Sequence, residues 1–213
     1  MLLELRRLTV PPGDRLLLRD VTWAEFEQIL DDLGEHRSVR LAYCQGVLEL
    51  MTPLPEHEAA KEIISDLIKA LLEELDIDFW PLGSTTFKNE RMVEGIEPDQ
   101  CFYTQNEAIV RGKDRIDLAL DPPPDLAIEV DVTSRTHPDI YASLGVPELW
   151  RFEKGNLQIY RLQDGRYQPV VESALMPGQP LNAIIPQYLK QSKIEGRNRT
   201  LRAFRAWVQE QIS

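Results

Sequence analysis

Apolar residues recur at every second position within Pro124–Ser134, PDLAIEVDVTS. Leu126, Ile128, Val130 and Val132 fall on one face at period two, and Asp125, Ala127, Glu129 and Asp131 on the other, which predicts a β-strand. The Asp121-Pro122-Pro123-Pro124 run prevents pairing before it, and Thr133-Ser134 closes it. The opposite period governs Glu56–Leu75. There Ile63, Ile64, Leu67, Ile68, Leu71, Leu72 and Leu75 form one wide apolar stripe, the signature of an amphipathic helix.

Other elements follow from local signals. Thr22-Trp23-Ala24-Glu25 is a capping box that opens a helix carrying Phe26, Ile29, Leu30 and Leu33 and stopping at Gly34. Val39–Cys44 and Val47–Met51 flank Gln45-Gly46 as a hairpin. Short strands are predicted at Ile77–Trp80, Ser84–Lys88 and Pro98–Tyr103, with a polar loop over Asn89–Glu97. A short helix starts at Pro138 and ends at Gly145. Strands at Glu148–Phe152, Leu157–Leu162 and Arg166–Val171 come next, and helices near Ala183–Ser192 and Thr200–Ile212 end the pattern. The order is α+β, a mixed sheet flanked by helices. We expect one domain over residues 1–213: an N-terminal extension with one helix (1–38), a core (39–171) and C-terminal helices (172–213).

Composition narrows the class. With 43% hydrophobic and 28% charged residues, the chain resembles an ordinary globular domain. Its apolar runs are too short to span a bilayer, its first residues lack a signal-peptide layout, and two cysteines make no disulfide framework, so a reducing cytoplasm is expected. The net charge of −11 excludes a general nucleic-acid coater, because phosphate binding needs cationic surface. It leaves room for a local basic strip. Lys190, Lys193, Arg197, Arg199, Arg202 and Arg205 form one, either as a DNA contact or as a solvated helix face.

Nucleophilic catalysis finds no elbow motif, no cysteine–histidine arrangement and no phosphate-cradling glycine loop. The three histidines have no zinc-ligand spacing. Carboxylates remain. Asp99 begins one strand, and Glu129 and Asp131 lie on another. Acids are depleted from strands, and like charges side by side repel. Neighbouring strands run about 4.7–4.9 Å apart, so facing carboxylates can share a hard cation such as Mg²⁺ or Mn²⁺, with a strand carbonyl adding a ligand. A solvated polar face is the plainer alternative. An arginine set between the two acids would remove the need for a cation.

Glu97-Pro98-Asp99-Gln100, then Pro124–Val130, then Tyr141-Ala142-Ser143-Leu144-Gly145-Val146-Pro147-Glu148-Leu149-Trp150, resemble the Uma2 family of putative restriction endonucleases, within the PD-(D/E)xK nuclease superfamily. Gly83–Lys88 resembles that family's preceding strand. The resemblance runs from about Tyr43 to Arg161. It implies a restriction-endonuclease-like mixed β-sheet core flanked by helices, a Mg²⁺ or Mn²⁺ ion, and hydrolysis of DNA phosphodiesters, with a homodimer to cut both strands. It makes Asp99 the motif aspartate and Glu129 the motif glutamate, both metal ligands, with the Val130 carbonyl beside them. The superfamily pattern places a lysine two residues beyond the glutamate, where this chain has Asp131, either a third ligand or a strand-end acid. Lys88 is the first candidate to replace that lysine, ahead of Arg135 and His137. Glu58, in the first turn of the long helix, is either a further site acid or plain helix-terminal charge. The alternative function is a catalytically impaired nuclease fold serving as a binding or regulatory module.

Overall fold

Thr22 caps the first helix as its sequence dictates: its hydroxyl accepts from the Glu25 backbone N–H, and the Glu25 side chain accepts from the Thr22 N–H. In the computed structural model, residues 9–34, 39–83, 85–90, 93–130 and 138–213 are described. The first half of the chain contains β1 (Arg15–Leu18), α1 (Trp23–Leu33), β2 (Arg40–Cys44), β3 (Val47–Met51), α2 (Pro55–Glu74) and β4 (Trp80–Pro81). Next come β5 (Phe87–Asn89), β6 (Glu94–Ile96), β7 (Gln100–Tyr103), α3 (Glu107–Val110) and β8 (Leu126–Val130). The remainder is α4 (Pro138–Ser143), β9 (Glu148–Glu153), β10 (Asn156–Gln163), β11 (Arg166–Val170), α5 (Leu181–Glu195) and α6 (Arg197–Ile212).

Two sheets result. The smaller is antiparallel, in the order β1-β3-β2-β6-β5. The larger runs β11-β10-β9-β8-β7-β4 and is mixed, because β8 and β9 are parallel while the other pairs are antiparallel. A parallel pair needs a crossover, and the segment containing α4 supplies it. The fold is therefore α+β with a mixed sheet flanked by helices, as the pattern predicts.

Three apolar clusters define the layers. Phe26 and Ile29 of α1 pack on Leu41, Tyr43, Leu48 and Leu50 of the smaller sheet. The other side of that sheet, through Phe87 and Ile96, meets Cys101, Tyr103, Ala127 and Leu149 of the larger sheet and Ile140 and Tyr141 of α4. The far face of the larger sheet, through Phe102, Leu126, Ile128, Val130 and Trp150, lies under α2, α5 and α6. Every residue of β8 is thus buried. Its polar face is not solvated, because the smaller sheet and α4 cover it.

Several expected boundaries shift. The polar loop expected over Asn89–Glu97 contains β6, whose Gly95 lies against the Phe26 ring. The strand expected at Ile77–Trp80 is only Trp80–Pro81. The C-terminal helices begin earlier than their apolar spacing suggests. The Gln45-Gly46 turn forms as expected, with both residues at positive φ (48° and 85°), the conformation that suits a two-residue hairpin.

Half of the basic strip is paired across to α2, while Lys190, Arg199 and Arg202 stay on the exposed face. Lys193 pairs with Glu56, Arg197 with Asp66, and Arg205 with Glu73 and Glu74, so these cations of α5 and α6 meet acids of α2.

Candidate active site

The antiparallel register of β7 and β8 pairs Gln100 with Ile128 and Cys101 with Ala127. One step further along the same register sets Asp99 opposite Glu129, so the two acids lie on neighbouring strands as expected. Period two puts them on the face that carries Cys101, Tyr103 and Ala127, beneath α4. Both are withdrawn from water, Asp99 at 3% and Glu129 at 5% exposure.

Helices grip each acid. Asp99 Oδ2 accepts a hydrogen bond from the Val130 backbone N–H (2.8 Å) and lies 3.0 Å from His57 Nε2. A carboxylate is an acceptor only, so the imidazole hydrogen belongs on Nε2. His57 stands in the first turn of α2 and is 2% exposed. Tyr141 of α4 donates its hydroxyl hydrogen to Glu129 Oε1. Burial first, then the Glu129 carboxylate through charge and hydrogen bond, then Asp99, push the Tyr141 phenol well above its ordinary range.

Cations surround the pair. Arg40 opens β2, and its Nη2 lies 3.9 Å from Asp99 Oδ1 and 3.6 Å from Glu58 Oε1. The first distance is outside hydrogen-bond range, so Arg40 stands beside Asp99 without bonding it. Lys61 Nζ reaches Glu58 Oε2 at 2.5 Å. Burial raises the Glu58 carboxyl, but Lys61, then Arg40 and His57, outweigh it and hold the group below its usual range. Arg151 faces Glu129 in the parallel β8–β9 register.

Lys88 is elsewhere. Its ammonium lies 2.7 Å from Glu27 of α1, on the rim of the smaller sheet. Asp131, Arg135 and His137 lie outside the described residues. The structure thus sets Asp99 and Glu129 in adjacent segments of the larger sheet, with His57 and Arg40 beside Asp99, Glu58 beside both of these, and Tyr141 on Glu129. Of these partners, only Glu58 and His57 carried a signal, as first-turn residues of a helix. Arg40 and Tyr141 look in sequence like ordinary strand and core positions.

A cleft of about 470 Å³ opens at the other end of β8, lined by Thr104, Asp125, Glu148, Arg161 and Leu175 among others. Its acids are already engaged. Asp125 accepts from the N–H groups of Thr104 and Asn106 and from the Asn106 side-chain amide. Glu148 accepts from Trp150 Nε1 (2.6 Å), Ser173 Oγ (2.5 Å) and the Ala174 N–H (3.0 Å). These bonds brace the strand ends.

Comparison with known proteins bears on this geometry. A family model described as putative restriction endonuclease matches residues 23–188. The crystal structure of a putative nuclease belonging to DUF820 from Anabaena variabilis superposes with a TM-score of 0.56 at 14% identity, covering 79% of this chain and 98% of that chain. At that identity the likeness speaks for the fold alone. No curated protein matches.

Proposed function

The chain belongs to the Uma2 family of putative restriction endonucleases, and from that premise we propose that it hydrolyses DNA phosphodiester bonds with a divalent cation held at Asp99 and Glu129. One observation supports the proposal: Asp99, just before β7, and Glu129 of β8 are both buried, and each is met by a ring from a helix. Such a pair is costly unless both charges are used or compensated.

The donor set fits a magnesium-like ion. Among the described residues, no group of three or more His, Cys, Asp or Glu side chains is placed to form a metal cage. Mg²⁺ does not need one, since it is bound through one or two carboxylates, waters and substrate oxygens. Asp99 and Glu129 would supply the carboxylates, and the carbonyl of Val130, the last residue of β8, is the next oxygen along the strand; Asp131 lies outside the described residues. Bound there, the ion supplies Lewis acidity and a water of lowered pKa. His57 and the Val130 N–H fix Asp99 Oδ2, leaving Oδ1 as the more available oxygen. Tyr141 fixes Glu129 in the same way. Lys88 serves as the catalytic cation only by leaving Glu27. Two copies of the chain would present such an end to each strand of a duplex.

A second reading has its own support. The protein itself provides donors to both acids, which is what a retired nuclease fold kept for binding or regulation requires. Plasmid nicking with added Mn²⁺ separates the two. Metal-dependent nicking by the wild type that disappears in Glu129→Ala supports the nuclease. Calorimetric titration with Mn²⁺ checks the site itself: equal heats from wild type and Asp99→Ala eliminate it.

A further inference from the structure

We propose that Arg40 is the residue that grips the substrate phosphate beside Asp99. This rests on the phosphodiesterase reading above and names its anionic contact. Along β2, Leu41 and Tyr43 turn toward α1, while Ala42 and Cys44 turn toward the larger sheet. Alternation therefore sends Arg40 toward the larger sheet as well, to the end where Asp99 stands. Its side chain is only 15% exposed.

A guanidinium so placed normally uses its donors. This one does not. Nη2 approaches two carboxylates at 3.6 and 3.9 Å, and Nη1 is buried with no hydrogen-bond partner among the described residues. Lys61, by contrast, is fully engaged with Glu58 at 2.5 Å. The guanidinium has charge partners, but leaving its buried Nη1 without a hydrogen bond is costly. The same point gathers two more atoms that make no hydrogen bond, His57 Nδ1 and Glu58 Oε1, which face each other at 3.3 Å as a charge contact. His57 is almost wholly buried, so its ring is held toward this point by the fold.

The planar fork of an arginine matches two oxygens of a phosphate. On a chain of net charge −11, a phosphodiester needs such a local cation to approach a pair of acids at all. Arg40 is set to bind the phosphate oxygens as they come to Asp99 and to offset the charge that builds on them during hydrolysis. That contact makes it a catalytic residue, distinct from His57, which acts through Asp99.

The test uses the full chain as wild type, Arg40→Gln and Arg40→Lys. Three quantities are read: the heat of Mn²⁺ titration, the salt dependence of binding to a short DNA duplex, and the rate of plasmid nicking. Arg40→Gln is expected to keep the Mn²⁺ heat and the melting temperature. It should lower nicking by roughly 100-fold, as removal of one charge-stabilising donor does. Its salt slope should fall by about 1, the mark of one lost phosphate contact. Arg40→Lys should keep the slope and recover part of the rate, because it restores the charge without the fork. Should Arg40→Gln not fold, Arg40→Lys decides alone, and a rate equal to wild type then overturns the proposal. A folded Arg40→Gln that nicks at the wild-type rate also overturns it. So does loss of the Mn²⁺ heat together with nicking, which would make Arg40 a support of the acids. A wild type that neither takes up Mn²⁺ nor nicks fails at the earlier step, and the phosphate role falls with the nuclease reading.

Discussion

His57 and Asp99 are 42 positions apart in the chain, yet the ring Nε2 lies 3.0 Å from the carboxylate Oδ2. The contact ties the first turn of α2 to the start of β7. Both side chains are almost fully buried, so water cannot replace either partner. His57→Ala leaves Asp99 Oδ2 with the Val130 N–H alone and should destabilise the fold by about 1–3 kcal/mol in a denaturant melt. His57→Gln, whose amide can donate, should recover part of that loss. Mn²⁺ affinity, followed by calorimetry, should fall about 10–100-fold in His57→Ala, the usual result of removing a group that orients a ligand. An unchanged melt and unchanged heats would show that the ring is only a neighbour.

Three basic residues of α5 and α6 act as latches on α2. Arg205 meets Glu73 and Glu74, Lys193 meets Glu56, and Arg197 meets Asp66. Most of these partners are exposed, so each pair is worth only about 0–1 kcal/mol, and less in salt. Replacing Arg197 and Arg205 together by Ala should lower the melting temperature slightly, by an amount that shrinks as NaCl is added. The salt slope of DNA binding should not change, because these cations are occupied by carboxylates. A slope reduced by about 2 in the double variant would instead make the strip a DNA contact.

Some of this was legible in the chain and some was not, for identifiable reasons. The α2 stripe and the Gln45-Gly46 hairpin are carried by local patterns, and both form. That Asp99 and Glu129 belong to adjacent segments was legible from the β7 and β8 patterns and the family resemblance, and both acids are buried. β6 was not, since Glu94 and Gly95 are poor strand formers. Gly95 is held in the sheet by pairing with Tyr43 and Lys88, and its bare backbone admits the Phe26 ring. Those are tertiary contacts with no local signature. Arg40 and His57 were missed as partners of Asp99 for a related reason. A single polar residue at a strand start or in a first helical turn has no period to betray it. Tyr141 does pack in the core, as its aromatic character suggests, but its hydroxyl reaches Glu129, and nothing in spacing announces that bond.

Gly95 offers a test of that tertiary dependence. A Cβ there would lie 2.9 Å from Phe26 Cζ and 3.0 Å from Cε1. The Phe26 ring has little room to yield, because it stacks on Tyr43 with centroids 4.5 Å apart and planes 8° from parallel. Gly95→Ala should therefore destabilise by about 1–3 kcal/mol, the range for overpacking a core. The paired change Gly95→Ala with Phe26→Leu should lose less than the sum of the two single changes. Additive losses in chemical denaturation would mean that the two residues do not press on each other.

Buried phenols make the fold sensitive to alkali. Tyr141 is pushed up by burial, then by Glu129 and Asp99. Tyr103 is pushed up by burial, then by Cys101, Asp121 and Asp125, and Tyr167 by burial alone. Each therefore stays neutral in the folded state beyond the pH, about 10, at which an unfolded tyrosine ionises. The sign follows: a raised folded pKa gives stability that is complete below about pH 10 and is lost as pH climbs toward the folded value. The Cys101 thiol, raised to about 12 by burial, adds a loss that starts lower, near the unfolded thiol value of about 8.5. An alkaline titration should show part of the tyrosinate absorbance appearing early. The rest should appear only with loss of the far-ultraviolet circular dichroism. Tyr141→Phe should remove one of the late-ionising phenols together with one hydrogen bond to Glu129. If all six tyrosines ionised together near pH 10 with the fold intact, the Tyr141 ring could not be the sealed group that holds Glu129 in place.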